Sequence, residues 1–437
     1  LLLASLCEGE STLHGALLDA DDAQQMLRAI ERLGASVTRL GDDIRVRGVG
    51  GRWKPRQGLN GHESELHLNL NNAGTAVRFL AGASLLSPIP LVIDGNARMR
   101  QRPIAELSEL LTKLGCRVDH IGEPGSKGPP VRLTPPADLD KIPTTIEVGK
   151  ILSSQFVSAL LLVAPWLPNG LTLRMTESPT SASYISMTAS LLAHLGATVQ
   201  LSADGRVIRV RGAGDKQGLK GFEYFVEPDA SGATYFWAAA AIAPLSTCTV
   251  LGLDDESLQG DSQFPEYLRR MGAIVHDQDG QVQLSTSKPG LRGIEVTGPT
   301  ELKPILADMS DMPDAAMTLA SVACFAKGTS ILRGLKTLRV KETDRISAVA
   351  TELRKIGVEV QTSAAGDPDV LTITPPKDGV DCSSKVPRVE FDTYDDHRMA
   401  MCFSLVALGG VAVTINDPNC VAKTFPDYFR AFGSLLA

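Results

Sequence analysis

The stretch Leu107–Val118, LSELLTKLGCRV, decides how the rest of the chain is read. Leu107, Leu111 and Leu114 fall at i, i+4 and i+7 and line one face of a helix. Gly115 follows at once, where a helix ends by turning left-handed. Cys116, Arg117 and Val118 then read as the start of a strand. The same helix–Gly–strand unit recurs at Met26/Ile30/Leu33/Gly34, Leu192/Leu195/Gly196, Phe264/Leu268/Met271/Gly272, Val349/Leu353/Ile356/Gly357 and Phe425/Phe429/Phe432/Gly433. Thr188 stands at the first apolar position of the third copy. The glycines recur about every 80 residues, the signature of an internal repeat with six copies.

A second element keeps step with the first. About forty residues ahead of four of these glycines, a polar residue opens an alanine-rich apolar helix. These are Asn72 (NAGTAVRFLAGASLL), Ser153 (SSQFVSALLLVA), Asp229 (DASGATYFWAAAAIA) and Asp314 (DAAMTLASVACFA). Asn, Ser and Asp read as N-caps, because their side-chain oxygens accept the free N–H groups of a first helical turn. In the sixth repeat the equivalent helix, TYDDHRMAMCFSLVALG, begins near Asp395. In the first, Leu1–Leu6 reads as the remainder of such a helix, with its opening turn ahead of Leu1.

Strand candidates come after the glycines in pairs: Ser36–Arg39 and Ile44–Val49, Arg117–Ile121 and Val131–Thr134, Thr198–Ser202 and Val207–Arg211. Each repeat thus reads βαβαββ, with crossover connections and a partly parallel sheet. A chain of 437 residues is long for one core. Two α/β domains of three repeats each are expected, 1–226 and 227–437, with alanine-rich helices packed inside and sheets outside around a pseudo-threefold axis.

The composition is 43% hydrophobic and 21% charged, as in ordinary globular proteins. The longest apolar runs, Ala159–Leu167 and Tyr235–Leu245, are far short of the ~20 residues that span a bilayer. The seven cysteines are scattered, without a CxxC pair, and most sit in apolar runs, as small core residues of a reducing compartment would. A net charge of −7 argues against nucleic acid as the main partner. Small anions remain open, since cations can concentrate in a cleft. No GxxxxGK[ST] loop, HExxH or Cys/His metal set occurs. Gly212–Gly218 (GAGDKQG) has no helical pattern after it, so a dinucleotide site is not expected.

The chemistry gathers in the polar loops that open the helices. Gly74 and Thr75 would offer backbone N–H groups at a helix start, with Arg78 one turn on, a natural anion site or an ordinary capped helix. Ser153, Ser154 and Gln155 repeat the theme with hydroxyls and an amide, as do Ser181 and Ser183 ahead of the next helix. Arg98, Arg100 and Arg102 in NARMRQRP can clamp an anion or form a solvated basic loop. Lys341, Glu342, Asp344 and Arg345 in RVKETDR are the densest constellation. A carboxylate among cations can move a proton while the cations hold an anionic substrate. Asp395-Asp396-His397-Arg398 holds a histidine flanked by both charge types, and Lys423 precedes the last repeat helix. Asp314 reads as an N-cap on its own. Because these loops are equivalent in the repeats, threefold packing places them on one face of each domain. The two faces are expected to oppose each other across a cleft lined by Arg78, Arg98, Arg100, Arg102, Arg339, Lys341, Arg345, Arg398 and Lys423.

Taken in order, NAGTAVRFL, ARMRQRPI, SSQF, MPDAAMT, LRVKETDR, YDDHRMAM and AKTFPDYF resemble the 3-phosphoshikimate 1-carboxyvinyltransferase (5-enolpyruvylshikimate-3-phosphate synthase) family of enolpyruvyl transferases, over essentially the whole chain. The resemblance implies two domains of three repeats, an inside-out α/β barrel. It implies a cytoplasmic step of chorismate and aromatic amino-acid biosynthesis, the glyphosate target, by a monomer without metal or organic cofactor. The enolpyruvyl group of phosphoenolpyruvate would pass to the 5-hydroxyl of shikimate 3-phosphate, with release of phosphate. The shikimate 3-phosphate ligands would be Ser153, Ser154, Gln155, Ser181, Tyr184, Asp314, Thr337 and Lys341. Those of phosphoenolpyruvate would be Asn72, Gly74, Thr75, Arg102, Gln155, Arg345, Arg398 and Lys423. Asp314 would act as base, Glu342 as the proton carrier at the methylene carbon, and His397 and Lys423 as supports for the developing charge. Arg102 is chosen among its neighbours because the family's ligand directly precedes a Pro-Ile pair.

Departures from the family pattern are Thr337 for a frequent Asn, and Val77 and Phe79 for Met and Pro. The family's Lys-Ser turn ahead of the LLLASL segment is not in this chain, so an inactive binding or scaffold relative is one alternative. The other is the sister enzyme acting on UDP-N-acetylglucosamine, which carries a reactive Cys in a mobile loop that Arg98–Pro103 lacks.

Overall fold

In a computed structural model the chain forms two compact units, Leu1–Val226 and Glu227–Ala437. The structure describes all residues except 57–63, 178–180, 213–217, 255, 283–290, 365, 384–386 and 436–437. The centre of the GAGDKQG stretch and part of the loop at 375–387 therefore lie outside the described residues. No helix among those described is long and apolar enough to cross a membrane.

The founding stretch folds as its spacing requires. Helix α5 (Ala105–Lys113) buries Leu107 and Leu111, its C-cap Leu114 is buried as well, Gly115 turns left-handed at φ +88, and Arg117–His120 is a strand. The other helices of the first unit are α1 (Leu2–Leu6), α2 (Asp21–Arg32), α3 (Gly74–Ala83), α4 (Ala97–Gln101), α6 (Ser154–Val163) and α7 (Ala182–His194). The second unit holds α8 (Ala230–Ile242), α9 (Phe264–Arg270), α10 (Ala316–Ala323), α11 (Arg345–Arg354), α12 (His397–Ser404) and α13 (Tyr428–Gly433). Gly34, Gly196, Gly272 and Gly357 also take positive φ, but Gly433 is the last residue of α13 and does not. Phe425 lies outside that helix, ahead of its N-cap Asp427.

Among the described residues, each of the three sheets of the first unit has four strands. In the third, Thr145–Val148 runs parallel to Leu171–Met175, with Ile146 opposite Leu173, because α6 carries the chain across between them. Val207–Val210 and Val199–Leu201 complete it antiparallel. The second sheet, from Leu66–Asn69 to Val131–Thr134, repeats this order. In the first sheet the outer parallel place beside Glu10–His14 is taken by Glu223–Phe225, with Leu13 opposite Tyr224. Among its described residues, the second unit has a three-stranded antiparallel sheet, a four-stranded sheet of the repeat type and the parallel pair Val389–Phe391 and Val413–Ile415.

Each unit has its own apolar core, and the alanine-rich helices are its centre. In α8 every residue except Phe236 is buried. Small residues serve close approach. A Cβ on Gly82 of α3 would lie 2.6 Å from the carbonyl oxygen of Ala159 in α6. Hydroxyl pairs tie such helices further, Ser158 to Thr188 at 2.8 Å and Thr234 to Thr318 at 3.1 Å. The inside-out α/β architecture thus arises from helices too apolar to face water on any side.

Gly82 tests this packing. Alanine is the better helix former by about 1 kcal/mol, yet the added methyl would meet backbone that cannot rotate away. Gly82→Ala is expected to destabilise the first unit by about 1–3 kcal/mol, read as a lowered urea midpoint. A raised midpoint would show that the helices can part freely.

Candidate active site

In the second unit the site is built around one guanidinium. Asp344 caps α11, its Oδ1 accepting from Ser347 N at 3.2 Å, and so presents Arg345 as the first helical residue. The Arg345 side chain is 1% exposed. Its Nε and Nη2 donate to Oδ2 and Oδ1 of Asp396 at 2.7 and 3.1 Å. Its Nη1 donates to Asp314 Oδ1 at 2.8 Å, and Nη2 also donates to Glu342 Oε2 at 2.8 Å. Asp396 in turn caps α12, its Oδ1 accepting from Arg398 N at 3.0 Å. One buried cation thereby locks the start of α11 to the start of α12 and to the turn that enters α10.

Further cations surround these carboxylates. Lys341 Nζ lies 3.3 Å from Asp314 Oδ1 and Arg398 Nη2 lies 3.4 Å from Asp314 Oδ2. Lys423 Nζ lies 3.7 Å from Glu342 Oε1. Arg398 Nη1 also donates to the Tyr235 hydroxyl at 3.5 Å. Burial by itself would raise the Asp314 carboxyl, but Lys341, Arg398 and Arg345 outweigh it and hold that group well below the usual carboxylate range. Burial, with Lys423 and Arg398 adding to it, keeps His397 well below the usual imidazole range, so it is neutral at pH 7. Its Nδ1, 3.6 Å from Asp396 Oδ1, is beyond hydrogen-bond reach. That atom has no hydrogen-bond partner among the described residues. Thr337 is buried in the 3₁₀ turn Lys336–Val340, and its Oγ1 likewise lacks one.

Asp314 is not the cap the sequence suggests. Pro313–Ala315 is a 3₁₀ turn without a side-chain cap, and Asp314 sits inside it. Three cations within 3.4 Å claim its oxygens instead of a backbone N–H. Asp229 does cap α8, its Oδ1 accepting from Ser231 N at 3.1 Å.

The first unit collects a quieter set, hydroxyls and amides with one arginine. Ser153 caps α6, its Oγ accepting from Gln155 N at 3.3 Å. Gln155 Nε2 donates to Thr75 Oγ1 at 3.2 Å, which joins the start of α6 to the start of α3. Ser154 is buried beside them. Asn72 does not cap α3, whose N-cap is Ala73; its Oδ1 accepts from Arg102 Nη1 at 3.4 Å. A Cβ on Gly74 would lie 2.8 Å from Arg102 Nη2, so a larger residue there would press on the guanidinium. Ser181 stands at the start of α7 in a left-handed conformation, φ 54, without a side-chain cap bond, and Tyr184 comes in the first turn.

Other sequence-selected cations are committed elsewhere. Arg78 is buried and donates to the carbonyls of Gly74 and Pro103 at 3.2 and 3.4 Å. Arg100 pairs with Asp94 at 2.6 Å, and Arg98 donates to Gln101 at 3.0 Å. Arg339 bonds Asp369 and Asp344 at 2.8 and 3.0 Å. No cluster of three metal-ligating residues occurs among the described residues.

Two members escaped the sequence reading. Tyr235 lies inside an apolar helix, where a tyrosine reads as core. Asp261 stands alone in the polar loop LQGD and gave no signal. It is buried, accepts a hydrogen bond from Ser231 Oγ, and leaves its Oδ1 without a hydrogen-bond partner among the described residues.

The chain matches the family described as EPSP synthase (3-phosphoshikimate 1-carboxyvinyltransferase) over residues 1–432. It is 41% identical to the 3-phosphoshikimate 1-carboxyvinyltransferase of Enterobacter sp. (strain 638) over 432 residues, 98% of this chain and 91% of that protein. It is 42% identical to the protein of the same name from Burkholderia vietnamiensis over 440 residues, 100% of this chain and 93% of the relative. Its fold is shared with a solved EPSP synthase from Acinetobacter baumannii, with a TM-score of 0.75 at 24% identity over 99% of this chain and 92% of that one. It is also shared with the enolpyruvyl transferase NikO from Streptomyces tendae, with a TM-score of 0.69 at 17% identity over 100% and 91%.

Asp261 yields a pH test. Burial pushes its carboxyl up to about 6; the Ser231 hydroxyl opposes the rise and Asp314 adds to it. The folded protein keeps a proton that the unfolded chain, at about 3.9, gives up. That stability is therefore present below pH ~4 and lost as pH rises towards 6. Relative to the parent, Asp261→Asn is expected to gain up to ~3 kcal/mol between pH 4 and 6, measured by urea unfolding at stepped pH. A constant difference across that range would contradict the assignment.

Proposed function

The chain belongs to the EPSP synthase family, and on that premise we propose that it transfers the enolpyruvyl group of phosphoenolpyruvate to the 5-hydroxyl of shikimate 3-phosphate, releasing phosphate by addition and elimination. The observation that carries this reading is the Asp314–Arg345–Glu342 arrangement: two carboxylates share one buried guanidinium while Lys341, Arg398 and Lys423 stand against them.

In the proposed addition the 5-hydroxyl oxygen attacks C2 of the donor, Asp314 takes the hydroxyl proton, and Glu342 gives a proton to the methylene carbon. A tetrahedral centre results. In the elimination Glu342 recovers a proton from the new methyl group as the C–O bond to phosphate breaks. Lys423 and neutral His397 steady the leaving group, and oriented cations stabilise the charge that develops. Asp314 is a weak base while Lys341, Arg345 and Arg398 face it. Anions that engage these same cations raise its proton affinity, so substrate binding favours the step that needs a base. We assign the donor to Asn72, Gly74, Thr75, Arg102, Gln155, Arg345, Arg398 and Lys423. The acceptor falls to Ser153, Ser154, Gln155, Ser181, Tyr184, Asp314, Thr337 and Lys341. The reading takes the protein as a monomer acting in the cytoplasm, with no nucleic-acid partner, and the net charge of −7 supports the last point.

Phosphate release from phosphoenolpyruvate is expected with shikimate 3-phosphate and not with UDP-N-acetylglucosamine. Release with the UDP-sugar alone would replace the acceptor, and release with neither would remove the activity. Asp314→Asn is expected to lower kcat by about 10²–10⁴ in the same assay. Gly74→Ala, which pushes on Arg102, is expected to raise the KM for phosphoenolpyruvate more than that for the acceptor. Equal effects on both would move Arg102 out of the donor set.

A further inference from the structure

Behind the charged cluster, on the far end of α11, a second buried carboxylate grips the chain segments that carry the cations. Glu352 lies two turns after Arg345 and its side chain is 0% exposed. Its Oε1 accepts from the Tyr394 hydroxyl at 2.7 Å and its Oε2 from the backbone N of Asp392 at 2.9 Å. Lys355 Nζ approaches the same Oε2 at 2.7 Å, Asp392 Oδ2 at 3.1 Å and the Glu390 carbonyl at 2.9 Å. Asp392 Oδ1 then accepts from Asn416 Nδ2 at 2.8 Å, and Asn416 N donates to the Phe391 carbonyl at 2.9 Å. These bonds join three segments: α11, the turn 392–396 that delivers His397 and Arg398, and the stretch 416–423 that ends in Lys423.

The two joined segments are held in conformations their side chains resist. Tyr394, Asp395 and Asp417 all take positive φ, at 55, 54 and 50, without being glycine. Such backbone persists only where its surroundings over-determine it. Here the surroundings are Arg345 on Asp396 at one end of α11, and Glu352 on Asp392 and Tyr394 at the other. The parallel pair Val389–Phe391 and Val413–Ile415 ends just before both segments, so the sheet alone does not fix the residues beyond its edge.

We infer that Glu352, through Asp392, Tyr394 and Asn416, is a positioning residue that sets His397, Arg398 and Lys423 relative to Arg345. It touches no substrate in this role. The effect on catalysis rests on the proposed transfer reading; the clamp itself does not.

Tyr394→Phe is the gentlest test, because it removes one hydroxyl from a residue that is 41% exposed. Glu352→Gln is the stronger one, since an amide cannot accept at both ends. In steady-state assays both variants are expected to raise the KM for phosphoenolpyruvate, about tenfold for Glu352→Gln, and to leave the KM for shikimate 3-phosphate within about twofold. Folded variants with the parental KM for the donor, or with equal rises for both substrates, would overturn the positioning role. Amide hydrogen exchange provides a readout that needs no turnover. Exchange over residues 392–398 is expected to quicken in both variants, with exchange in α8 unchanged. Parental exchange rates over 392–398 would overturn the clamp even in an active enzyme. If the parent protein transfers nothing, the transfer reading fails while the exchange comparison still decides the clamp. Should Glu352→Gln not fold, Tyr394→Phe carries both measurements.

Discussion

A guanidinium removed from water must be surrounded by acceptors, and the second unit is arranged around meeting that demand for Arg345. Its three carboxylate partners come from different parts of the chain: Glu342 from the preceding turn, Asp314 from the entry to α10 and Asp396 from the cap of α12. Such an ensemble is weak evidence for net stability, because desolvation offsets much of the attraction. Its significance is positional. Since no partner can be withdrawn without leaving a buried charge, the starts of α10, α11 and α12 keep one mutual arrangement. Lys341, Arg398 and Lys423 then occupy fixed places around Asp314 and Glu342.

The first unit solves a different problem with the same repeat. Its helix starts offer neutral donors and acceptors: Ser153 takes the backbone N–H of Gln155, and the Gln155 side chain reaches that of Thr75. Arg102 lies over Gly74, where a larger residue would push it away. The architecture explains why both chemistries sit at helix starts. A helix packed on all sides by its neighbours has no free face, so its ends are the natural place for polar function, with Tyr235 inside α8 the exception. Gly82 against Ala159 and the hydroxyl pairs within the cores show how closely those bodies are drawn together.

Local rules made much of this readable. The spacing of Leu107, Leu111 and Leu114 and the left turn at Gly115 are properties of a few adjacent residues, and the same logic located Gly34, Gly196, Gly272 and Gly357. Ser153 and Asp229 do cap their helices, each accepting a backbone N–H of the first turn. Asn72 and Asp314 have the same local credentials and do not cap, because an arginine or a lysine from elsewhere in the chain claims them. The cations were legible as a class but not individually: Arg78 and Arg100 are spent on near neighbours in the chain, Gly74 and Asp94, and Arg339 on Asp369, which only the fold brings near. Asp261 and Glu352 were invisible for a related reason. In LQGD and TELRK an acid reads as solvated, and only tertiary packing buries it.

The first sheet also carries a consequence for biosynthesis. Glu10–His14 is flanked by Asp43–Arg47 on one side and by Glu223–Phe225 on the other. At ribosomal rates of ~5–20 residues per second, the second neighbour emerges about 10–40 s after the first. Throughout that interval a finished strand exposes one row of backbone donors and acceptors, an invitation to pair with another nascent chain. The polysome, rather than the folded protein, is where this edge is most vulnerable, and the last strand of the unit works there as a latch that closes only when the unit is whole.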